Sequence, residues 1–237
     1  MQTVILSGGL GTRLRAVVSD LPKPMAPIKG KPFLEYLLLY LREAGLNEII
    51  LAVGYMSHKI VDYFGDGAEW GVKISYSVED SPLGTGGALK RACGLVEEWP
   101  ILVLNGDSFA KVDINQMVRF HKGQHAVATI ALTKVEDTGR YGRIEIDPEG
   151  RIIAFMEKNE GREGLINAGV YVVEKAFIDR IPEGMVSLER DVFPSLINKG
   201  LYGFTSEGFF IDIGIPQDYL SLINNPQGLQ LTYLDAK

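Results

Sequence analysis

Residues 6–15 read LSGGLGTRLR, with Gly8, Gly9 and Gly11 and the arginines Arg13 and Arg15 inside ten positions. Glycine loses the most conformational freedom on folding, so clustered glycines demand a steric reason. An anion brought close to bare backbone N–H groups is one such reason. The spacing fits neither common phosphate fingerprint. A dinucleotide loop needs a third glycine where Leu14 stands, and a Walker loop needs Gly-Lys-Ser/Thr where Gly11-Thr12-Arg13 stands. Further on, Lys23 lies between Pro22 and Pro24. Each ring fixes its own φ and Pro24 biases Lys23 toward extended backbone, so a cation is aimed without relying on regular structure. Within residues 1–31 five basic side chains face the single acid Asp20, on a chain of formal net charge −6. That contrast indicates a small-anion site and argues against a nucleic-acid partner.

Residues of this kind need a scaffold that brings several strand ends to one place. Short apolar runs at Thr3–Ser7, Glu48–Val53, Lys73–Val78 and Ile101–Asn105 predict strands. Between them Phe33, Leu34, Leu37, Leu38 and Leu41 keep helical spacing, and 85–97 and 113–121 also predict helices. This alternation implies a Rossmann-like, doubly wound α/β sheet. After Ala126 strands crowd together at 126–133, 142–147, 151–157 and 165–173, which makes the sheet mixed; helices return at 187–198 and 215–224 around a strand pair within 201–211. The expectation is one domain over 1–225 and a loosely attached tail at 226–237. Hydrophobic residues at 46% and charged ones at 23% suit a soluble globular protein. No apolar run reaches the ~20 residues of a membrane span, and no basic segment precedes TVILS. Cys93 is the single cysteine, which fits a reducing, cytoplasmic setting and a small packed side chain better than a catalytic thiol.

LSGGLGTRLR, then PKPM and GKPFLEYLL, closely resembles the sugar-phosphate nucleotidylyltransferases. Further motifs follow in that family's order: PLGTGGAL at 82–89, LNGDS at 104–108, FMEK at 155–158, INAG at 166–169 and FIDIG at 210–214. The resemblance implies transfer of a nucleotidyl group from a nucleoside triphosphate to a sugar 1-phosphate, with release of pyrophosphate. It also implies catalytic roles for Arg13, Lys23, Asp107 and Asp212, and nucleotide contacts at Leu6, Gly8, Gly9, Gly11, Thr12, Arg13, Glu79, Gly84 and Thr85. Gly142, Glu157, Lys158 and Asn167 fall at the family's sugar-phosphate positions. Family members often dimerise, which leaves a homodimer open, and the length has no room for the β-helix that many relatives append.

An Asp after a strand is most often a turn former or cap. Two of them, Asp107 and Asp212, beside a triphosphate loop suggest oxygen ligands for Mg²⁺, which takes one or two carboxylates plus phosphate oxygens. By resemblance they are the family's metal ligands; the three histidines show no metal spacing. Glu79 bears on the base. Guanine offers N1–H and N2–H₂ side by side, which one carboxylate can accept, whereas uracil or thymine would meet it with carbonyls. Relatives that use thymidine or uridine nucleotides commonly carry glutamine there, so GTP is the favoured nucleotide. VVSDLPKPMAPIKGKPFLEYLL, SLERD and FFIDIGIPQDY are similar to the family's heptose 1-phosphate guanylyltransferases. Mannose 1-phosphate, or a UTP, dTTP or CTP enzyme, remains the alternative within the class. A glycosyltransferase would carry Asp-x-Asp where Gly106-Asp107-Ser108 stands.

Overall fold

The computed structural model describes residues 1–9, 11, 14, 17–156 and 161–229. The chain opens with β1 (Thr3–Ser7), a short hairpin of β2 (Pro27–Ile28) and β3 (Lys31–Pro32), α1 (Phe33–Glu43) and β4 (Glu48–Val53). It continues through α2 (Ser57–Phe64), β5 (Lys73–Val78), α3 (Gly84–Ala92), β6 (Ile101–Asn105), β7 (Ser108–Ala110) and α4 (Ile114–Gly123). Then come β8 (Ala128–Val135), β9 (Ile144–Ile146), β10 (Ile152–Phe155), β11 (Gly164–Val173) and α5 (Lys175–Ile178). The chain closes with β12 (Leu201–Ser206), β13 (Phe210–Asp212) and α6 (Pro216–Asn224).

β6, β1, β4 and β5 lie side by side and parallel. Strand alternation divides the core into two layers. Val4, Ile50 and Val103 pack with Leu89 of α3, while Ile5, Leu51 and Leu104 pack with Phe33, Leu34 and Leu37 of α1. Burying one such side chain contributes about 1.5–3 kcal/mol, so helices on both faces are what lets these strands be apolar throughout. The expected α/β doubly wound sheet is therefore present. β11 returns antiparallel to β6 and makes the sheet mixed, again as expected.

β11 also carries an irregularity in its pairing. Its pairing with β8 is interrupted between Asn167 and Tyr171, a bulge that contains Gly169 at φ +75°. A Cβ on Gly169 would lie 2.5 Å from Ser108 Oγ, and the Gly169 N–H donates to Asn167 Oδ1 at 2.8 Å. Only glycine meets both demands.

The structure departs from the sequence expectations in several places. The two strands within 201–211 do not pair with each other: β12 runs parallel to β8, and β13 joins β7 in a separate two-stranded sheet. β7 is invisible to periodicity because three residues give no alternation to read. The helix expected over 85–97 stops at Ala92 and tightens into a 3₁₀ turn, Cys93–Leu95. The segment 187–198 forms one π turn, Leu188–Val192, and a 3₁₀ turn, Phe193–Leu196. Pro226–Leu229 forms a 3₁₀ turn whose Leu229 is buried, so packing extends past the expected boundary at 225. Among the described residues no helix is long and apolar enough to cross a membrane.

Gly169→Ala should lower unfolding stability by about 1–3 kcal/mol, because the strained φ and the clash with Ser108 add to each other. Urea denaturation of the two proteins measures it.

Candidate active site

β1, β4, β5 and β6 all end on one side of the sheet, and the exits of β1, β5 and β6 line a cavity of about 370 Å³. Leu6, Gly8, Gly9, Lys23, Glu79, Gly84, Thr85 and Asp107, all anticipated from sequence, line it. Gly11 packs beside Lys23, a Cβ on it falling 3.1 Å from Lys23 Cβ. Thr12, Arg13, Glu157 and Lys158 lie outside the described residues.

Lys23 is the centre of charge. Its ammonium donates to Asp107 Oδ2 at 2.5 Å and lies 3.9 Å from Asp212 Oδ1, with the lysine side chain only 10% exposed. Asp107 follows β6 and Asp212 ends β13, whose register places Asp212 opposite Ser108. The Gly214 N–H donates to Asp212 Oδ1 at 2.6 Å, which fixes that carboxylate. The Pro-Lys-Pro segment differs from the extended backbone expected. Lys23–Met25 is a 3₁₀ turn, closed by Met25 N–H to Pro22 O and Ala26 N–H to Lys23 O. Pro24 is tolerated there because the first turn of a helix needs no N–H from it.

Glu79 extends from the end of β5 across the mouth of β1. A Cβ on Gly8 would lie 2.3 Å from Glu79 Oε1, so the glycine at 8 is what admits the carboxylate. Glu79 Oε2 accepts from Leu83 N–H at 3.1 Å and retains a second lone pair. Burial is the main influence on this carboxyl and raises its pKa, against smaller opposing contributions from Leu83 N–H and Arg91.

A second cavity of about 500 Å³ opens on the other side of Asp107. Asn167 and Asp212, both singled out in the sequence, line it. Gly142 does not; its N–H is donated to Thr138 O at 3.1 Å, and the neighbouring Arg140 and Tyr141 form the wall instead. Arg140 pairs with Asp218 at 3.0 Å. Asn105, Asp107 and Glu189 line both cavities and so form their shared wall.

Sequence reading missed Asn105, Glu189 and Met185. Asn105 and Asn167 both donate to the fully buried Tyr171 hydroxyl, at 3.3 and 3.1 Å, which holds the two amides in one orientation. Glu189 Oε2 accepts from Thr85 Oγ1 at 2.8 Å and from Ser187 Oγ at 3.0 Å. Their signals were SLERD and the asparagine before Gly106-Asp107; the partners lie too far along the chain for spacing to expose them. Met185 is 77% exposed at the first cavity. Among the described residues five buried side-chain atoms lack a hydrogen-bond partner, and three of them, Ser7 Oγ, Asn105 Oδ1 and Ser108 Oγ, belong to residues lining these cavities. Buried polar atoms are ordinarily satisfied, so their gathering marks a polar ligand site. Cys93 lines neither cavity, and burial pushes its thiol up to about 12, as suits a packed side chain.

The sequence and the fold agree with known proteins. The nucleotidyl transferase family model matches residues 2–227. The chain belongs to this family. It is 45% identical to a D-glycero-alpha-D-manno-heptose 1-phosphate guanylyltransferase of Aneurinibacillus thermoaerophilus, over 92% of this chain and 95% of that one. It is 40% identical to a mannose-1-phosphate guanylyltransferase of Mycobacterium tuberculosis over 93% of this chain, but that match spans 63% of the relative. The crystal structure of HddC from Yersinia pseudotuberculosis complexed with GMP-PN superposes with a TM-score of 0.83 at 37% identity, covering 94% of this chain and 98% of that one. Membership of the family makes the chain a nucleotidyl-transferring enzyme.

Glu79 generates a paired prediction. A carboxyl whose pKa is raised by folding costs stability once pH exceeds its unfolded value, and the cost is complete above the folded one. Glu79→Gln should therefore raise the melting temperature at pH 7 and remove this component of its pH dependence, as calorimetry across pH 4–8 would show.

Proposed function

We propose that the protein joins GTP and D-glycero-α-D-manno-heptose 1-phosphate to give GDP-heptose and pyrophosphate. The observation that carries this reading is the wall of Asn105, Asp107 and Glu189 shared by two cavities. A transferase that couples two anionic substrates needs two sites meeting at one point of reaction. The match to the heptose relative over 95% of its length supports the sugar.

In this reading GTP occupies the first cavity. Its triphosphate lies along Gly8, Gly9 and Gly11, with Thr12 and Arg13 from the same loop. Leu6, Gly84 and Thr85 line the nucleoside, and the Glu79 carboxylate accepts from guanine N1–H and N2–H₂. The sugar phosphate occupies the second cavity, where Asn167 and Arg140 present donors and Asp218 an acceptor. Glu157 serves the sugar hydroxyls, and Lys158 holds the phosphate. An oxygen of the sugar phosphate forms the new bond to the α-phosphorus as the bond to the pyrophosphate oxygen breaks. The nucleophile is already an anion, so no general base is required. Lys23 and Arg13 neutralise charge on the transferring and departing phosphates, and electrostatic positioning supplies the catalysis.

Asp107 and Asp212 fit a magnesium ion. Both carboxylates converge on one cation in this structure, the Lys23 ammonium, and two hard oxygen donors with room for phosphate oxygens are what Mg²⁺ takes. When bound, the ion would withdraw charge from the phosphoryl oxygens. The single cysteine suits a cytoplasmic setting, where nucleotide and sugar phosphate are available.

Pyrophosphate release with Mg²⁺, measured for four nucleotides against a panel of sugar 1-phosphates, tests the reading. GTP with the heptose phosphate should be fastest, and release from no combination would refute it. Lys158→Ala should raise KM for the sugar phosphate at least about tenfold while that for GTP moves little. Equal changes would remove Lys158 from the sugar site.

A further inference from the structure

The position of Lys23 has a consequence for how metal and nucleotide enter. Its ammonium uses Asp107 Oδ2 at 2.5 Å and sits 3.9 Å from Asp212 Oδ1, so it lies against the oxygens that a divalent ion would need. The three side chains together carry net charge −1. A divalent ion placed on both carboxylates beside the ammonium would put two cations against each other in a site where the lysine is 10% exposed. The arrangement accepts the ion comfortably only if the lysine leaves. Leaving needs a new anionic partner, because an ammonium taken from its carboxylate in a poorly hydrated place is costly. Lys23 also lines the first cavity, alongside Gly8 and Gly9, where the nucleotide phosphates are placed. The short 3₁₀ turn holds the Lys23 backbone, with Pro24 and Met25 buried beneath it, so the exchange requires movement of the side chain alone.

We propose that Lys23 is a displaceable internal counter-ion. It holds Asp107 and Asp212 against divalent cations until nucleotide phosphates draw it away, so that metal enters with GTP and not before it. This rests on the reading of Asp107 and Asp212 as metal ligands. The device keeps the two carboxylates from repelling each other without a bound ion. It also prevents a free divalent ion from occupying them without substrate. Nucleotide and metal are then thermodynamically linked through one side chain, and each must favour the other to the same degree.

The test is Mn²⁺ binding to the purified protein, followed by electron paramagnetic resonance, for the wild type, Lys23→Met and Lys23→Gln. Without nucleotide the wild type should bind Mn²⁺ weakly, and both variants should bind one ion at least about tenfold more tightly, within the usual range of coupling between sites. Adding Asp107→Asn to either variant should abolish the gain. The melting temperature of Lys23→Met should fall without metal and recover on adding Mn²⁺, which a merely structural lysine would not produce. If Lys23→Met fails to fold, Lys23→Gln carries the comparison. GTP should also raise wild-type Mn²⁺ affinity beyond that of GTP free in solution. Variants that bind Mn²⁺ no more tightly than the wild type would overturn the exchange; if the wild type still took Mn²⁺ with GTP, the metal reading would survive. No protein-dependent Mn²⁺ binding even with GTP would overturn both.

Discussion

The pair of Lys23 and Asp107 is the interaction on which the site depends. It ties the loop after β1 to the exit of β6, and through Asp212 to β13, three segments far apart in sequence. A lysine this enclosed is tolerable only beside carboxylates, and removing one partner of such a pair leaves an uncompensated charge. The rest of the sheet serves to deliver these ends: parallel β1 and β6 lie adjacent, so the glycine loop and Asp107 emerge next to each other. Ile213 N–H donates to Asp107 O at 3.0 Å, which brings the chain around Asp212 to the same point.

Around that point the polar groups divide by cavity. The first cavity is built from parallel strand exits and the start of α3, where Gly8, Gly9 and Gly84 expose backbone between the charged side chains of Lys23, Glu79 and Asp107. The second cavity is built from the antiparallel β11, its bulge at Gly169, and the Arg140–Asp218 pair. Tyr171 joins the two halves: buried on β11, its hydroxyl accepts from Asn105 of β6 and from Asn167 of its own strand. Burial first and the charge of Glu189 second raise its pKa well above that of a free tyrosine, so it stays a neutral anchor.

The parallel half was legible in sequence because its signals are local. Four strands with continuous apolar runs and helices of period 3.6 declare themselves within short windows. Lys23, Glu79, Asp107 and Thr85 could be placed because each stands at the edge of such an element or inside a glycine or proline motif. Asn105, Glu189 and Arg140 could not, because what brings them to the cavities is a partner remote in sequence, as with Thr85 and Glu189. The pairing of β12 with β8 and of β13 with β7 was hidden for the same reason. Neighbouring strands in sequence suggest a hairpin, and only the competition for buried edges in the full sheet sends them apart.

The central claim is that one acidic point, shared by two cavities, is neutralised in turn by Lys23 and by a metal. A crystal structure with GTP and Mn²⁺, with the ion located by its anomalous signal, tests it most directly. The account predicts the ion on the carboxylates of both Asp107 and Asp212, with the Lys23 ammonium transferred to a phosphate oxygen. Lys23 still bonded to Asp107, with the ion held elsewhere, would contradict it.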